Sequence, residues 1–357
     1  MGQEKKQTER KMWAAVYRGK GKISLEERRM PKLLKPTDAI INVTLTTICS
    51  SDIHILKGAV PKAREGVILG HEFVGKVIET GSQVKKFKPG DRVAVNVETF
   101  CGECEFCKEG HVNNCTDSEG GWALGCRIDG GQAEFVRIPY ADQGLTKIPD
   151  TVTDEQALFT GDLLSTGYWA AQLGELKPAD TVLVIGAGPA GICTMLAARL
   201  YSPYKIIAVD LDEERLELVK EQRLADVTFS ARTQELEKKI LEETGGYGAD
   251  VVFEAAGSSD TFRLAYETAR PNGIVCIIAM YEEDQVLPLP QMYGKNLIFK
   301  TGGVDACCCG EIMKLIEAGK LNAEFMITHR TTLSQIEGAY EIFGKKQDNI
   351  LKWAIKV

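Results

Sequence analysis

Residues 181–191 read TVLVIGAGPAG, an apolar strand (Thr181–Ile185) that runs straight into Gly186-Ala187-Gly188-Pro189-Ala190-Gly191, and the pattern continues as a helix through Leu200. A G-x-G-x-x-G run means little alone; between a strand and a helix it marks a loop that holds phosphate. Gly186 permits the tight turn, Gly188 lets the backbone approach a pyrophosphate, and Gly191 brings helix against sheet, while the helix N-terminus attracts the anion. Pro189 and Ala190 complete the loop.

Working outward, the chain beyond Asp150 alternates strand with helix: KIIAVD, ADVTFS, ADVVFEAAG, GIVCIIAM and NLIFKTGG are the strands after the first. Strands apolar on both faces, separated by amphipathic helices, imply a parallel sheet covered on both sides. The reading is α/β, with a Rossmann-like doubly wound domain. Asp210 ends KIIAVD at about the distance where a carboxylate accepts both adenosine ribose hydroxyls, and it would repel a 2′-phosphate, so NAD is expected in preference to NADP. Arg215, on the following helix, either reaches the ribose or a phosphate or is a solvated face residue.

From Met12 to about Ile148 the pattern differs: AAVY, AIINVTL, FVGKVIET, DRVAVNV and GGQAEFVRI are short apolar runs split by Gly and Pro, the mark of a β-rich domain. After Gly302 come a helix (CGEIMKLIEAG), an extended segment, a second helix and a closing strand (ILKWAIKV), a tail expected to rejoin the first domain. The expected bounds are a disordered extension over 1–11, a β-rich domain over 12–157 and 302–357, and a nucleotide domain over 158–301. A chain of 357 residues has room for two cores. Its formal charge of −7 and isoelectric point near 5.4, with bases interleaved among acids, argue against a nucleic-acid surface. No apolar run is long enough to span a bilayer, and the polar opening does not resemble a secretory leader, so a cytoplasmic protein away from membranes is expected.

Residues 101–115, CGECEFCKEGHVNNC, space Cys101, Cys104, Cys107 and Cys115 as C-x2-C-x2-C-x7-C. Four thiolates at this pitch suit tetrahedral zinc, and Gly102 and Gly110 permit the turns a closed sulfur cage imposes. Disulfides compete, although eleven cysteines in a chain this long fit reduced thiols. An iron–sulfur cluster also competes, but ferredoxin runs continue with x3-C-P. The lobe is placed at about 98–118.

A second set, Cys49-Ser50-Ser51-Asp52-Ile53-His54 and Gly70-His71-Glu72, holds two of the four histidines. Taken singly, Cys49 is an ordinary buried thiol and His71 a satisfied core histidine, and spacing does not assemble them. Together with the four-cysteine lobe, GDLLSTGYWA and GAGPAG, however, CSSDIH and GHE stand in the order of zinc-dependent medium-chain alcohol dehydrogenases, which the chain resembles from Met12 onward. The resemblance implies a GroES-like catalytic domain beside the Rossmann domain and two zinc ions per chain. Cys49, His71 and Asp162 would hold a catalytic zinc, with Glu72 a neighbouring or alternate ligand, and the lobe would hold a structural one. Many members have cysteine where Asp162 stands and polyol dehydrogenases have glutamate; aspartate resembles the secondary-alcohol branch, and an oxygen donor still leaves an open position. Ser165-Thr166-Gly167 matches the segment near nicotinamide, which puts Thr166 at the cofactor.

The implied reaction interconverts an alcohol, secondary or a diol, and its ketone or aldehyde by hydride transfer to or from nicotinamide. Ser51 would take the hydroxyl proton and His54 pass it towards solvent, while Asp52 accepts from the non-ligating nitrogen of His71. Polyol, 2,3-butanediol, threonine and formaldehyde dehydrogenases share this chemistry; a zinc-free quinone reductase or a non-catalytic nucleotide-binding zinc protein would lack part of the set. The family implies a homodimer or homotetramer. Cys307-Cys308-Cys309, Cys126, Cys193, Cys276 and His329 are read as packing residues and His111 as a surface residue, while Trp122, Trp169 and Tyr281 either line the substrate pocket or pack elsewhere.

Overall fold

The computed structural model describes residues 10–357. The expected disordered extension therefore lies outside the described residues except for Arg10 and Lys11, and Lys11 already opens a strand, Lys11–Tyr17, paired antiparallel with Ile23–Arg29.

The chain forms two compact units: one takes the chain up to Gly161 together with Ile327–Val357, the other Asp162–Met326. The first is built on a sheet ordered Ile327–Thr332, Lys352–Lys356, Ala39–Thr46, Phe73–Thr80, Arg92–Val95, Leu145–Lys147, with Phe135–Ile138 also on Ala39–Thr46. Ile41, Val43, Phe73, Val77, Val93, Val95, Val136 and Ile138 form one core there. A second core collects Ile48, Ile55 and Leu69 with Leu333, Ile336, Tyr340, Trp353 and Ile355 from the tail. The closing strand pairs through Ile355 and Lys356 with Thr46 and Leu45, so the tail from residue 327 rejoins the β-rich unit.

The second unit is a six-stranded sheet in the order Val227–Ser230, Lys205–Asp210, Thr181–Ile185, Ala249–Glu254, Ala269–Ile277, Ile298–Thr301. Every neighbouring pair is parallel. Successive strands leave Thr181–Ile185 in opposite directions, which makes its C-terminal end the switch point where such sheets bind ligands.

The units divide at 161/162 and 326/327 rather than at the expected 157/158 and 301/302. Residues 302–326 stay with the nucleotide unit because the helix Cys309–Glu317 buries Cys309, Ile312, Met313 and Ile316, and Cys309 Sγ lies 3.2 Å from Ser165 Oγ. Its apolar spacing announces a buried face without naming the partner. Among the described residues no helix is long and apolar enough to cross a membrane.

Gly167 on the helix Leu163–Leu173 lets the helix Pro189–Arg199 approach until a Cβ on Gly167 would lie 2.3 Å from the Cys193 carbonyl and 2.7 Å from Thr194 N. Backbone cannot yield as a side-chain tip does. Gly167→Ala is expected to destabilise the second unit by about 1–3 kcal/mol, the cost of overpacking, read as a lower urea midpoint; an unchanged midpoint would show that the helices part freely.

Candidate metal and nucleotide sites

Cys49 caps the helix Ser50–Lys57 with extended backbone, and Asp52 Oδ2 accepts from its amide at 3.0 Å. The other oxygen of that carboxylate lies 3.3 Å from His71 Nδ1, with both side chains 1% exposed. One buried carboxylate thus touches the segments carrying both Cys49 and His71, and its place beside Nδ1 leaves Nε2 as the nitrogen that could hold a metal. Gly70 turns the chain into His71 at φ +94, where a Cβ would lie 2.6 Å from Gln132 Cγ.

Asp162 is the first residue beyond a clamped backbone. Val97 N donates to Gly161 O at 3.0 Å, and a Cβ on Gly161 would lie 1.8 Å from Val95 O, so the residue preceding Asp162 is fixed in the first unit. Ligand atoms of Cys49, His71 and Asp162 all lie within 4.8 Å of one another, and all three residues are buried. Sulfur, nitrogen and oxygen at this separation fit zinc with one coordination position left open.

Glu72 is not in that group. Its Oε2 meets Lys352 Nζ, both side chains being 1% exposed, and the same ammonium donates to Ile48 O at 3.0 Å and stands 5.6 Å from the centre of the Phe159 ring. Glu72, expected as a neighbouring or alternate ligand, is a carboxylate engaged by a buried lysine. Sequence reasoning missed Lys352, although a lysine inside the apolar run ILKWAI was a signal: an ammonium fully buried there requires a counter-charge.

Ser51 Oγ lies 3.6 Å from Cys49 Sγ. His54 follows three residues later on the same helix face and is half-buried. Trp122 stands edge-on to His71, ring centres 5.6 Å apart. Of the other two aromatics, Tyr281 donates to Glu254 at 2.6 Å, and Trp169 lies against Gly302.

In the lobe, Cys101, Cys104, Cys107 and Cys115 also bring their sulfurs within 4.8 Å of one another. Gly102 and Gly110 have φ +74 and +89, and the amides of Glu103 and Cys104 both point at Cys101 Sγ, 3.4 Å away. Amides of Thr116 and Cys107 hold the Cys104 thiol down at about 6, near the thiolate a metal takes. Burial pushes Cys107 and Cys115 up, a tendency that a dication in the cage inverts. Gly120, not singled out from sequence, is needed as well, since a Cβ there would lie 2.6 Å from Cys115 Sγ. His111 is exposed and outside the sulfur group.

At the phosphate loop Gly186 has φ +105, Gly188 caps the helix Pro189–Arg199, and a Cβ on Gly191 would lie 1.8 Å from Gly186 O. Asp210 Oδ2 accepts from Ala187 N at 2.6 Å and its Oδ1 from Asp212 N at 2.9 Å. Arg215 faces the loop: its Nη1 lies 3.6 Å from the place of a Gly188 Cβ, and its Nε 3.5 Å from Asp212. Thr166 N donates to Asp162 O at 2.7 Å.

The remaining cysteines are not in disulfides, with Cys126, Cys193, Cys276 and Cys309 buried and Cys307 exposed. Burial pushes Cys276 up to about 12, in keeping with an inert core thiol. His329 bonds Thr328 and tilts against Trp353.

Removing one partner of the Glu72–Lys352 pair leaves the other charge buried. Lys352→Met is expected to cost about 3–5 kcal/mol, with Lys352→Met/Glu72→Gln recovering part of it in chemical denaturation. Equal losses in the single and double variants would show that the two charges are not coupled.

Residues 35–150 match the family model for the alcohol dehydrogenase GroES-like domain and residues 189–323 that for zinc-binding dehydrogenases. An alcohol dehydrogenase of Cupriavidus necator is 34% identical over 365 residues, spanning 97% of this chain and 98% of its own. An NADP-dependent isopropanol dehydrogenase of Thermoanaerobacter brockii is 30% identical, over 93% of this chain and 96% of its own. The solved apo form of zinc-dependent alcohol dehydrogenase 2 from Streptococcus pneumonia superposes with a TM-score of 0.91 at 37% identity, covering 97% of this chain and 99% of that one. With both halves matched in order and the donor groups in place, the chain belongs to the zinc-dependent medium-chain alcohol dehydrogenase family, whose members interconvert alcohols and carbonyl compounds.

Proposed function

We propose that this oxidoreductase uses NAD, holds two zinc ions and acts on a secondary alcohol or diol. The observation that carries the coenzyme reading is Asp210, whose carboxylate bonds the Ala187 amide of the phosphate loop and the Asp212 amide. A 2′-phosphate there would meet Asp210 and, beside it, Asp212, with Arg215 already paired to Asp212 and Arg232 bonded to Leu211 O. Kinetics with both coenzymes are expected to favour NAD in kcat/KM by roughly 100-fold, equivalent to ~3 kcal/mol, and Asp210→Ala should erase most of that preference. A wild-type preference for NADP would overturn the reading.

When bound, zinc supplies Lewis acidity towards the substrate oxygen and nicotinamide accepts or returns the hydride. The chain provides the rest. Cys49, His71 and Asp162 are the proposed ligands of the catalytic ion and the four lobe cysteines those of the structural one. Asp52 holds the His71 tautomer, Trp122 borders the substrate, and Gly186–Gly191 with Thr166 and Arg215 bind the dinucleotide. Ser51, 3.6 Å from the Cys49 sulfur, takes the alcohol proton, and His54 carries it from the half-buried end of the same helix.

Ser51→Ala should lower turnover by roughly 10²–10⁴-fold, the range for a proton-transfer group, with zinc content and NADH binding retained; unchanged turnover removes Ser51 from the relay. Metal analysis should give two zincs per chain, and one after Cys49→Ala. Loss of both would contradict independent sites. The aspartate in the third ligand position favours secondary alcohols and diols, and NADH formation across a panel that includes polyols, threonine and primary alcohols tests this. Eleven cysteines outside disulfides support a cytoplasmic setting. Val286, Leu289 and Tyr293, exposed close together in sequence, support a homodimer or homotetramer, which sedimentation tests.

A further inference from the structure

Gln132 and Tyr340 have no part in the reaction as described, yet they prolong the line of buried polar contacts that begins at the His71 ring. Asp52 Oδ1 lies 3.3 Å from His71 Nδ1. Asp52 Oδ2 accepts from Cys49 N at 3.0 Å and from Gln132 Nε2 at 3.2 Å. The same amide nitrogen donates to Thr47 O at 3.0 Å, and Tyr340 Oη donates to Gln132 Oε1 at 2.8 Å. The exposures of His71, Asp52, Gln132 and Tyr340 are 1, 0, 0 and 4%, so water is excluded along the whole chain.

The chemistry of each group dictates its direction. A carboxylate and a backbone carbonyl only accept, so the side of Gln132 facing Asp52 and Thr47 must be the NH2 end. The opposite end is a carbonyl oxygen, which needs a donor, and Tyr340 supplies one. Burial, with Asp52 close by, pushes the Tyr340 phenol well above its ordinary value, so it keeps its proton. This buried amide needs an acceptor for each of its two N–H groups. Thr47 O takes one, and the other shares the Asp52 oxygen with the Cys49 amide, leaving Oδ1 for His71.

We propose that Gln132 and Tyr340 are positioning residues for the catalytic metal: Tyr340 orients the Gln132 amide, Gln132 with the Cys49 amide orients Asp52, and Asp52 holds His71 with Nδ1 protonated and Nε2 turned to the ion. The proposal rests on reading Cys49, His71 and Asp162 as ligands. Tyr340 comes from the helix Ile336–Lys345 and Gln132 from the segment before Phe135–Ile138, so the ligand geometry depends on the returning tail.

The test is chelator competition on the full-length zinc-loaded protein, following zinc per chain, with the lobe ion as internal reference. Gln132→Leu is expected to weaken one of the two sites by roughly 10-fold, the low end for groups adjoining ligands, and Tyr340→Phe, one bond further out, by about 3-fold. The lobe ion should be held as in the parent, and in a Cys49→Ala background Tyr340→Phe should change nothing. Tyr340→Phe removes a single oxygen, and a parent-like urea midpoint identifies variants that remain folded. Curves for both variants that superimpose on the parent overturn the proposal, as does equal weakening of both ions. A parent protein with one zinc, unchanged by Cys49→Ala, would instead overturn the ligand reading on which the proposal stands.

Discussion

The carboxylate of Asp52, buried beside His71, is the interaction on which the first unit's chemistry turns. An ionised carboxylate out of water is costly unless several donors meet it. Here the Cys49 and Gln132 amides donate to it, and the His71 ring stands 3.3 Å from its other oxygen. Around it are gathered a cysteine and a second aspartate within 4.8 Å of the same imidazole. Counting Cys49 as thiolate, three negative groups converge on one small volume, an arrangement that favours a dication and penalises its loss. Glu72 would add a fourth negative charge, and Lys352 offsets it before it reaches the group.

The two cysteine-bearing sites obey different rules, and the difference explains what was legible beforehand. The lobe draws all its sulfurs from residues 101–115, with turns made by Gly102 and Gly110, so a local spacing rule is enough to read it. The phosphate loop is likewise read locally: Gly186, Gly188 and Gly191 stand within one short segment between a strand and a helix, and Asp210 lies at the end of the adjacent parallel strand. Cys49, His71 and Asp162 come from segments far apart in the chain, brought together by the packing of a whole sheet. Their reading came from family resemblance; spacing carried none of it.

What stayed hidden was pairing across long sequence separations. Lys352 on Glu72 and Tyr340 on Gln132 each join the tail to residues more than two hundred positions earlier. No local periodicity encodes such pairs; an isolated polar residue in an apolar run signals only that some partner exists. The same limit misplaced the second boundary between units: the apolar face of Cys309–Glu317 was visible, but its contact with Ser165 was not.

The division of labour follows from these separations. A site closed by neighbours in sequence forms as soon as its own segment turns, and it needs little from the rest of the fold. A site assembled from distant strands inherits every error in their packing, and an open coordination position makes it less forgiving, because three ligands must do the orienting that four do in a closed shell. Rigid outer support is therefore needed most at the three-donor group. There the glycines at 70 and 161 press backbone against neighbours too closely for any side chain, and a buried carboxylate fixes the imidazole. The lobe, with amides aimed at its sulfurs and half-exposed cysteines, tolerates a looser surround.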